Sequence, residues 1–358
     1  MLGESGGGNQ ILENLDDMNN RLTLLKEKLP QMKVKEGVLL SSCTSFRTGG
    51  PADLAAYPGN SKELGELLRL CRQEGVPCYI LGNGTNVLAP DEGFRGVVIL
   101  TSEMREISIK EETGNDEEAG IEEETGINDG TTGNEEETGI NDGKTGINDE
   151  KTWIVKAGAG VLLSTLSMEC AKRSLTGLEY ARGIPGSVGG AVVMNAGAYG
   201  GEVKDSLIGV TVMSGEGGEP FKMKAEELEL GYRHSIIPER GIVVLEAEFE
   251  LAKGDHDSIF ALMDELSTRR KEKQPLEYPS AGSTFKRPEG YFAGKLIEDA
   301  GLKGFSVGGA QVSEKHAGFV INKGGATSAD IMNLIKEVQR RVYEASGVML
   351  EPEVKFME

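Results

Sequence analysis

The chain has 358 residues, a formal net charge of −20, and a hydrophobic fraction of 38%. Such a length suggests two or three domains with room for a sizeable core. Residues 111–150 hold fifteen acidic residues against one basic residue, Lys144, and so carry fourteen of the twenty net negative charges. The remainder is mildly acidic, and its lack of a basic stripe excludes the class of nucleic-acid-binding proteins.

The four cysteines, Cys43, Cys71, Cys78 and Cys170, form neither a C-x-x-C pair nor a metal-ligand spacing. So few cysteines in a chain of this length are typical of a reduced, cytosolic protein. The N-terminal residues lack the basic and apolar pattern of a signal peptide, and no apolar run approaches the ~18–20 residues that span a bilayer. We therefore expect a cytoplasmic protein that binds no metal ion, no nucleic acid and no membrane.

In chain order, residues 1–30 predict a glycine-rich tail followed by an amphipathic helix. Apolar residues recur every three or four positions through residues 11–29, and Pro30 ends the pattern. A loop leads to a second helix, which Ser61 can cap and Gly75 can end. Both helices have an apolar face that needs a partner.

A buried strand at 76–81 follows the second helix, and the polar loop GNGTN at 82–86 follows that strand. A further strand is predicted at 97–100. Helix, strand, glycine loop and strand form an α/β pattern with a possible ligand site at the loop. A lone G-x-G is also common in ordinary turns, so the loop by itself decides nothing.

The acidic segment, residues 111–150, differs in kind from the rest of the chain. EEETGINDG occurs at 122–130 and again at 135–143. Polar repeats with so few apolar residues cannot bury a core, and they lack the spacing of a calcium-binding loop. Strand-like runs at 106–110 and 152–160 flank the segment. We predict a disordered insertion in a hairpin loop, which the slow growth of closure entropy with loop length tolerates.

Residues 182–201, RGIPGSVGGAVVMNAGAYGG, place seven glycines among twenty residues, with Arg182 as the only charged one. Successive free N–H groups can form an anion site, and a helix N-terminus among glycines favours phosphate. The apolar AVVMNA centre predicts a short buried helix whose N-terminus, at 185–189, faces a ligand. On these residues alone, a pyrophosphate cradle and a buried packing turn are both open.

The remaining pattern predicts further mixed structure. Alternating strands are predicted at 207–213 and 242–251. The other predicted elements are helices at 161–174, 225–230, 259–273, 294–300 and 328–345, a strand at 317–321, and a final strand broken at Pro352. The chain after residue 252 is predicted to form a compact α+β domain.

Seven stretches lie in order between residues 44 and 356: TSFRTGGPADL, LGNGTNVL, GLEYARGIPGSVGGAVVMNAGAYGGEV, YRHSII, QPLEYPSAGSTFKRP, GGAQVSEKHAGFVIN and LEPEVKF. Together they resemble the UDP-N-acetylenolpyruvoylglucosamine reductase family, the MurB family, in its shorter form. The resemblance implies an α+β fold. A two-lobed flavin-binding domain of the PCMH type would cover residues 31–252, interrupted by the acidic insertion, and a smaller α+β substrate-binding domain would cover residues 253–358.

The resemblance also implies a reaction. NADPH would deliver hydride to FAD, and the flavin would reduce the enolpyruvyl double bond of UDP-N-acetyl-3-O-(1-carboxyvinyl)glucosamine to give UDP-N-acetylmuramate, a peptidoglycan precursor. Neither glycine region contains a histidine, so we expect the FAD to be bound non-covalently. Hydride addition beside a carboxylate requires positive charge at the carboxylate and an acid at the carbon.

Three residues match the family's catalytic positions. Arg233 in GYRHS would bind the substrate carboxylate, Ser283 in AGSTF would donate the proton, and Glu353 in EPEVKF would polarise or help protonate the intermediate. The residues implied for FAD are Gly82, Asn83, Gly84, Thr85, Asn86, Gly183, Ile184, Pro185, Gly186, Ser187, Gly189, Gly190, Asn195 and Tyr199. Those implied for the substrate diphosphate and carboxylate are Lys273, Lys303, His316 and Lys355.

Two other functions stay open at this point. A flavin-dependent oxidase of the same superfamily would use oxygen and no NADPH. A non-catalytic nucleotide-sugar binder would need none of the three catalytic side chains. An oxidase would not turn over the enolpyruvyl UDP-sugar. A non-catalytic binder would keep its function when Ser283 is replaced with alanine.

Overall fold

The first lobe is built on a four-stranded sheet with two helices. In the computed structural model, which describes residues 6–112 and 152–358, it contains α1 (Gly6–Lys28), β1 (Lys33–Leu39), β2 (Pro51–Tyr57), α2 (Ser61–Gln73), β3 (Cys78–Leu81), β4 (Val87–Leu88) and β5 (Phe94–Leu100). The sheet has the order β1-β2-β5-β3. β1 is antiparallel to β2, whereas β2, β5 and β3 are parallel. α1 begins at Gly6, ahead of the predicted residue 11.

The apolar face of α2 packs into the core of this lobe. The buried residues that α2 contributes are Leu64, Leu67, Leu68, Leu70 and Cys71. The predicted cap at Ser61 is wrong, because the N-cap is Asn60, whose side chain accepts a hydrogen bond from the Glu63 N–H at 2.9 Å. Gly75 follows the helix at φ +62°, a left-handed conformation that glycine adopts without a Cβ penalty.

The second lobe is built on an antiparallel sheet. Its elements are β6 (Ile107–Glu111), β7 (Thr152–Gly158), α3 (Leu163–Ala171), β8 (Leu175–Thr176), α4 (Val188–Val193), β9 (Gly197–Ala198), β10 (Gly201–Glu202), β11 (Leu207–Ser214), β12 (Phe221–Lys224) and β13 (Ile242–Lys253). The strand order is β12-β11-β13-β7-β6, with β8 paired to the end of β13. β9 and β10 form a separate two-stranded ribbon. α3 and α4 contribute buried residues to the core beneath this sheet.

The predicted hairpin around the acidic segment is confirmed at its two strands, because β6 pairs antiparallel with β7 and Glu111 lies opposite Trp153. Most of the predicted insertion, residues 113–150, lies outside the described residues. The predicted helix at 225–230 is wrong in type: a short 3-10 helix, Ala225–Leu228, is ended by Glu229 at φ +50°. The helix predicted at 161–174 is shorter, because Ser174 has a φ of +56°.

The C-terminal part of the chain contains α5 (His256–Lys273), α6 (Ala293–Asp299), β14 (Ser306–Val307), β15 (Ala310–Val312), β16 (Val320–Asn322), α7 (Ser328–Ser346) and β17 (Lys355–Phe356). α6, α7 and the sheet β14-β15-β16 share one apolar core. α5 packs on the second lobe, where Ile259 and Met263 contact Ala171. By packing, α5 therefore belongs with the second lobe, although the sequence pattern groups it with the C-terminal domain.

The C-terminal segment returns to the first lobe. β17 pairs parallel with β4, with Lys355 opposite Val87, and an isolated bridge joins Phe285 to Pro352. The predicted final strand is thus reduced to two short contacts on either side of Glu353. Within residues 6–112 and 152–358, no helix is long and apolar enough to cross a membrane. The same residues contain no group of three His, Cys, Asp or Glu side chains that could hold a metal ion.

Candidate active site

A cleft of about 940 Å³ lies where the two lobes and the C-terminal unit meet. This volume is in the upper part of the ~300–1,000 Å³ range of small-molecule sites. Residues 79–87, 184–198 and 353–356 contribute to its walls. Of the residues predicted to bind the cofactor, those that line the cleft are Gly82, Asn83, Gly84, Thr85, Asn86, Ile184, Pro185, Gly186, Ser187, Gly189 and Gly190.

The loop at 82–86 requires glycine because it passes close to the backbone at Cys43 and to the side chain of Ser187. Gly84 has a φ of +59°, and a Cβ there would collide with the carbonyl oxygen of Cys43. A Cβ on Gly82 would collide with the Ser187 hydroxyl on the opposite wall. The Asn83 side-chain amide donates to the Pro185 carbonyl oxygen at 2.6 Å. The two glycine regions therefore contact each other and form a continuous wall with exposed backbone groups.

α4 begins at this wall. Ser187 is its N-cap, and the Ser187 hydroxyl accepts a hydrogen bond from the Gly190 N–H at 3.4 Å. A Cβ on Gly189 would lie 2.9 Å from the Cβ of Ala159, so glycine lets the helix lie close to the sheet of the second lobe. The helix predicted from AVVMNA is present, and it begins at Val188, within the predicted N-terminal range 185–189, because Ser187 supplies the cap.

Three residues predicted to bind the cofactor do not line the cleft: Gly183, Asn195 and Tyr199. Gly183 gives room to another side chain, since a Cβ there would lie 2.9 Å from Cδ of Arg270. Asn195 is fully buried, and its side chain makes three hydrogen bonds within the protein. Tyr199 has a φ of +55° and a largely solvent-exposed side chain. These positions support the cleft from outside its wall.

The three residues predicted to be catalytic lie together. Arg233, Ser283 and Glu353 line both the cleft and a second cavity of about 350 Å³ beside it. Arg233 Nε donates to Glu353 Oε1 at 2.6 Å, and Arg233 Nη2 donates to the Gly197 carbonyl oxygen at 3.2 Å. The side chains of Arg233 and Glu353 are 20% and 13% exposed, so water screens the pair only weakly. The junction of the two cavities thus holds a fixed cation, a carboxyl group and a hydroxyl group.

Burial raises the pKa of Glu353 above its ordinary value, while the positive charges of Arg233, Lys286 and Lys355 oppose that rise. Desolvation is the larger effect because it disfavours the charged carboxylate. A carboxyl group with a raised pKa keeps its proton to higher pH than an exposed glutamate does. Such a group is suited to hold or pass on a proton during a reaction.

The backbone around Glu353 connects it to both other parts of the site. The Glu353 N–H donates to the Thr284 carbonyl oxygen at 2.8 Å, next to Ser283. The Asn86 side-chain amide donates to the Glu353 carbonyl oxygen at 3.0 Å. The Lys355 N–H donates to the Asn86 carbonyl oxygen at 2.9 Å. The loop at 82–86 and the segment with Glu353 are therefore joined by two hydrogen bonds.

The second cavity has a basic and aromatic lining. Its basic lining residues beyond Arg233 are Arg287, Lys295, Lys303, Lys315 and His316, and the carboxyl groups of Glu298 and Glu353 also line it. Burial lowers the pKa of His316, and its Nδ1 accepts a hydrogen bond from the Gly318 N–H at 3.1 Å, which leaves Nε2 to carry the ring proton. The Arg287 guanidinium lies 4.0 Å from the ring centroid of Phe292. This lining suits an anionic ligand with a planar group.

The predicted substrate residues fall in different places. Lys303 and His316 line the second cavity, and Lys355 lines the cleft. Lys303 Nζ lies 3.1 Å from Glu298 Oε1, so a carboxylate already neutralises part of its charge. Lys273 is exposed at the end of α5 and lines neither cavity. The structure therefore brings three of these four residues to a cavity.

Two residues that the sequence did not single out also line the cleft, Arg270 and Gln274. Within residues 6–112 and 152–358, the Arg270 guanidinium makes no hydrogen bond or ion pair, and burial lowers its pKa. The Gln274 Oε1 atom is buried and, among the same residues, has no hydrogen-bond partner. The basic run RRKEK contained the signal for Arg270, but nothing in that run shows which cation turns inward.

Family comparisons agree with this two-part architecture. Residues 52–121 and 142–223 match the FAD binding domain family, and residues 274–357 match the C-terminal domain family of UDP-N-acetylenolpyruvoylglucosamine reductase. The fold and the cleft thus define an oxidoreductase with an FAD-binding domain and a separate C-terminal domain.

Individual relatives narrow the class. A UDP-N-acetylenolpyruvoylglucosamine reductase of Agathobacter rectalis is 48% identical, covering 92% of this chain and 96% of the relative. Another, of Clostridium novyi, is 45% identical over 95% of this chain and 96% of its own length. The crystal structure of the Thermus caldophilus reductase aligns with a TM-score of 0.68 at 33% identity, covering 91% of this chain and all of that one. The chain belongs to the UDP-N-acetylenolpyruvoylglucosamine reductase family.

Proposed function

We propose that the protein reduces the enolpyruvyl group of UDP-N-acetyl-3-O-(1-carboxyvinyl)glucosamine to the lactyl group of UDP-N-acetylmuramate, with NADPH as the hydride donor. The product is a precursor of peptidoglycan. The observation that carries the proposal is the cluster of Arg233, Ser283 and Glu353 at the junction of a large glycine-walled cleft and a basic cavity. A redox cofactor fits one side of that junction and an anionic sugar nucleotide fits the other.

The cleft fits FAD. Its volume of about 940 Å³ is large for one ligand, and Gly82 and Gly84 let the loop at 82–86 lie against Ser187 and Cys43, where a Cβ would collide. Backbone N–H groups of the loop at 82–86 and of Gly186 and Ser187 would hold the pyrophosphate, since those of Val188 and Gly189 already donate to the Val161 and Ala159 carbonyl oxygens. Arg270, whose guanidinium has no partner within residues 6–112 and 152–358, would add positive charge. The chain's three histidines, His234, His256 and His316, do not line this cleft, which supports non-covalent binding.

When bound, FAD supplies hydride transfer from NADPH to the vinyl carbon of the substrate. Addition of hydride moves negative charge onto the substrate carboxylate. Arg233 is fixed in place by Glu353 and Gly197, so its guanidinium can stabilise that charge without reorganising. Its planar fork suits a carboxylate better than a point charge does.

The second carbon of the former double bond needs a proton. We assign its delivery to the Ser283 hydroxyl, which lines both cavities together with Glu353. The raised pKa of Glu353 allows this buried carboxyl group to hold a proton near the reacting atoms. Ser283 and Glu353 keep their separation because the Glu353 N–H is bonded to the neighbouring Thr284 carbonyl.

We assign the substrate diphosphate to the basic cavity, where Lys303 and His316 lie with Lys295 and Lys315. Local positive charge is needed there because the protein as a whole is acidic. Lys355, two residues after Glu353, lines the cleft and adds positive charge there. Lys273, which lines neither cavity, has no role in this assignment.

The test is an anaerobic two-step titration of the purified holoprotein. We expect flavin absorption bands that NADPH bleaches and that the enolpyruvyl UDP-sugar restores, with UDP-N-acetylmuramate as the product. Slow return of the bands with the sugar but rapid return with oxygen would assign the protein to the oxidases instead. Absence of protein-bound flavin after incubation with FAD and removal of the unbound FAD would favour a non-catalytic nucleotide-sugar binder.

A further inference from the structure

Asn195 is a buried polar residue next to the active site that neither cavity uses. It follows α4, is 0% exposed and has a φ of +39°. Its side-chain Nδ2 donates to Glu202 Oε2 at 2.7 Å and to the Gly231 carbonyl oxygen at 3.0 Å. Its Oδ1 accepts a hydrogen bond from the Lys204 N–H at 2.9 Å. Both amide donors are used, so Asn195 has none left for a ligand.

The first partner, Gly231, begins the turn that carries Arg233. Gly231 and His234 exchange backbone hydrogen bonds in both directions, at 3.1 and 3.2 Å. Arg233 lies inside this turn at φ +55°, a left-handed conformation that is strained for a non-glycine residue. The far end of the turn is held as well, since the Ser235 hydroxyl donates to the Val193 carbonyl oxygen at 2.7 Å. The strained turn is therefore attached to the end of α4 on both sides.

The second partner, Glu202, leads to the other contact of Arg233. Glu202 in β10 lies opposite Gly197 in β9. The Gly197 carbonyl oxygen accepts the hydrogen bond from Arg233 Nη2 at 3.2 Å. Thus Asn195 holds the turn from which Arg233 extends and, through Glu202, the ribbon that orients its guanidinium.

We propose that Asn195 is a positioning residue for Arg233. It fixes the direction of the guanidinium toward the substrate carboxylate, and it binds neither the cofactor nor the substrate. This inference rests on the proposed function, because it gives Arg233 its role at the carboxylate. An error of about 1 Å in the placement of such a group can cost about 10²-fold in rate.

The first test is Asn195→Ala, assayed per molecule of bound flavin. We expect flavin content and the rate of flavin reduction by NADPH to match the wild type. The rate of reoxidation by saturating enolpyruvyl UDP-sugar should fall by about 10²-fold, because the misdirected Arg233 no longer meets the developing charge.

The second test is Asn195→Asp, which keeps the acceptor for the Lys204 N–H and replaces the donors. The introduced carboxylate would face the Glu202 carboxylate and the Gly231 carbonyl oxygen, so repulsion would raise its pKa. When protonated, it can donate again to one of these oxygens. We therefore expect the reoxidation rate of this variant to recover, relative to the wild type, as pH falls.

Asn60→Ala is the matched control for stability. Asn60 caps α2 in the first lobe, away from both cavities, and its loss removes a helix cap without touching the site. We expect this control to show a shifted melting temperature and a normal rate of flavin reoxidation by the sugar.

Five results would overturn the inference. It is wrong if Asn195→Ala reoxidises within about threefold of the wild type per bound flavin. It is also wrong if the loss of activity equals the loss of flavin, or if Asn195→Asp shows no pH-dependent recovery. If the sugar reoxidises the flavin of the wild type and of both variants alike, this inference is wrong but the proposed function stands. A wild type that the sugar cannot reoxidise refutes the proposed function and this inference with it.

Discussion

Arg233→Met is the substitution that most directly tests the site. It removes the donor to Glu353 at 2.6 Å and the donor to the Gly197 carbonyl oxygen at 3.2 Å, while it leaves an apolar stem of similar length. Loss of one preorganised donor to a developing oxyanion costs about 2.7–4 kcal/mol, or about 10²–10³ in rate. The contact is mostly buried, so the upper half of this range applies. Arg233→Lys should recover only part of the loss, because a point charge cannot replace the fork.

The assay is single-turnover reoxidation of the pre-reduced holoenzyme by the enolpyruvyl UDP-sugar in a stopped-flow instrument. Flavin content and the rate of reduction by NADPH serve as internal controls, and both should be unchanged. Reoxidation of Arg233→Met within about threefold of the wild type would refute the assignment of Arg233 to the carboxylate.

The same variant makes a prediction about pH. Burial raises the pKa of Glu353 in the folded protein, and Arg233 opposes that rise. The stabilising contribution of this group is fully present below its unfolded pKa and is lost as pH rises through the folded pKa. Removing Arg233 should raise the folded pKa further and extend this loss to higher pH. Melting temperatures of the two proteins across pH 4–9 measure the difference, and identical profiles would contradict the stated coupling.

Three further changes have defined outcomes. Ser283→Ala should abolish sugar reduction while NADPH still bleaches the flavin; retained turnover would exclude the hydroxyl as proton donor. Gly84→Ala should lose FAD, because the added Cβ would collide with backbone. Gly347→Ala is the control: Gly347 has a φ of +71° and open space around it, so this variant should lose only about 1 kcal/mol of unfolding free energy and keep FAD. Deleting residues 113–151 and closing the gap with a two-residue turn should leave FAD binding and turnover intact, because the Glu112 N–H already bonds to the Thr152 carbonyl oxygen at 2.8 Å; loss of either would show the segment to be required.

Strong periodicity predicted the regular elements well. The alternating runs at 207–213 and 242–251 became β11 and β13, which pair antiparallel in the second lobe. Element ends were less predictable, because caps depend on local hydrogen bonds. Asn60 and Ser61 are adjacent and both favour the cap position, and only the observed bond to the Glu63 N–H distinguishes them.

The composition of the site was more predictable than its geometry. Ordered motifs identified Arg233, Ser283 and Glu353, but the contact between Arg233 and Glu353 spans 120 residues and no local pattern contains it. The family resemblance implied that Asn195, in the glycine-rich stretch, binds FAD. Its complete burial depends on Glu202 and Gly231, which reach it from other elements. Long-range packing decided both outcomes.

The pairing of β17 with β4 has a consequence for the synthesis of this protein on the ribosome. Asn86 and Glu353 are 267 residues apart in the chain, yet a hydrogen bond joins them at the wall of the cleft. At about 5–20 residues per second, a ribosome needs roughly 15–50 s after making Asn86 before it makes Glu353. During that interval the glycine loop of the first lobe lacks the segment that covers it. Cofactor capture should therefore be a late event in the life of the nascent chain, and stalled or prematurely terminated chains should be flavin-free.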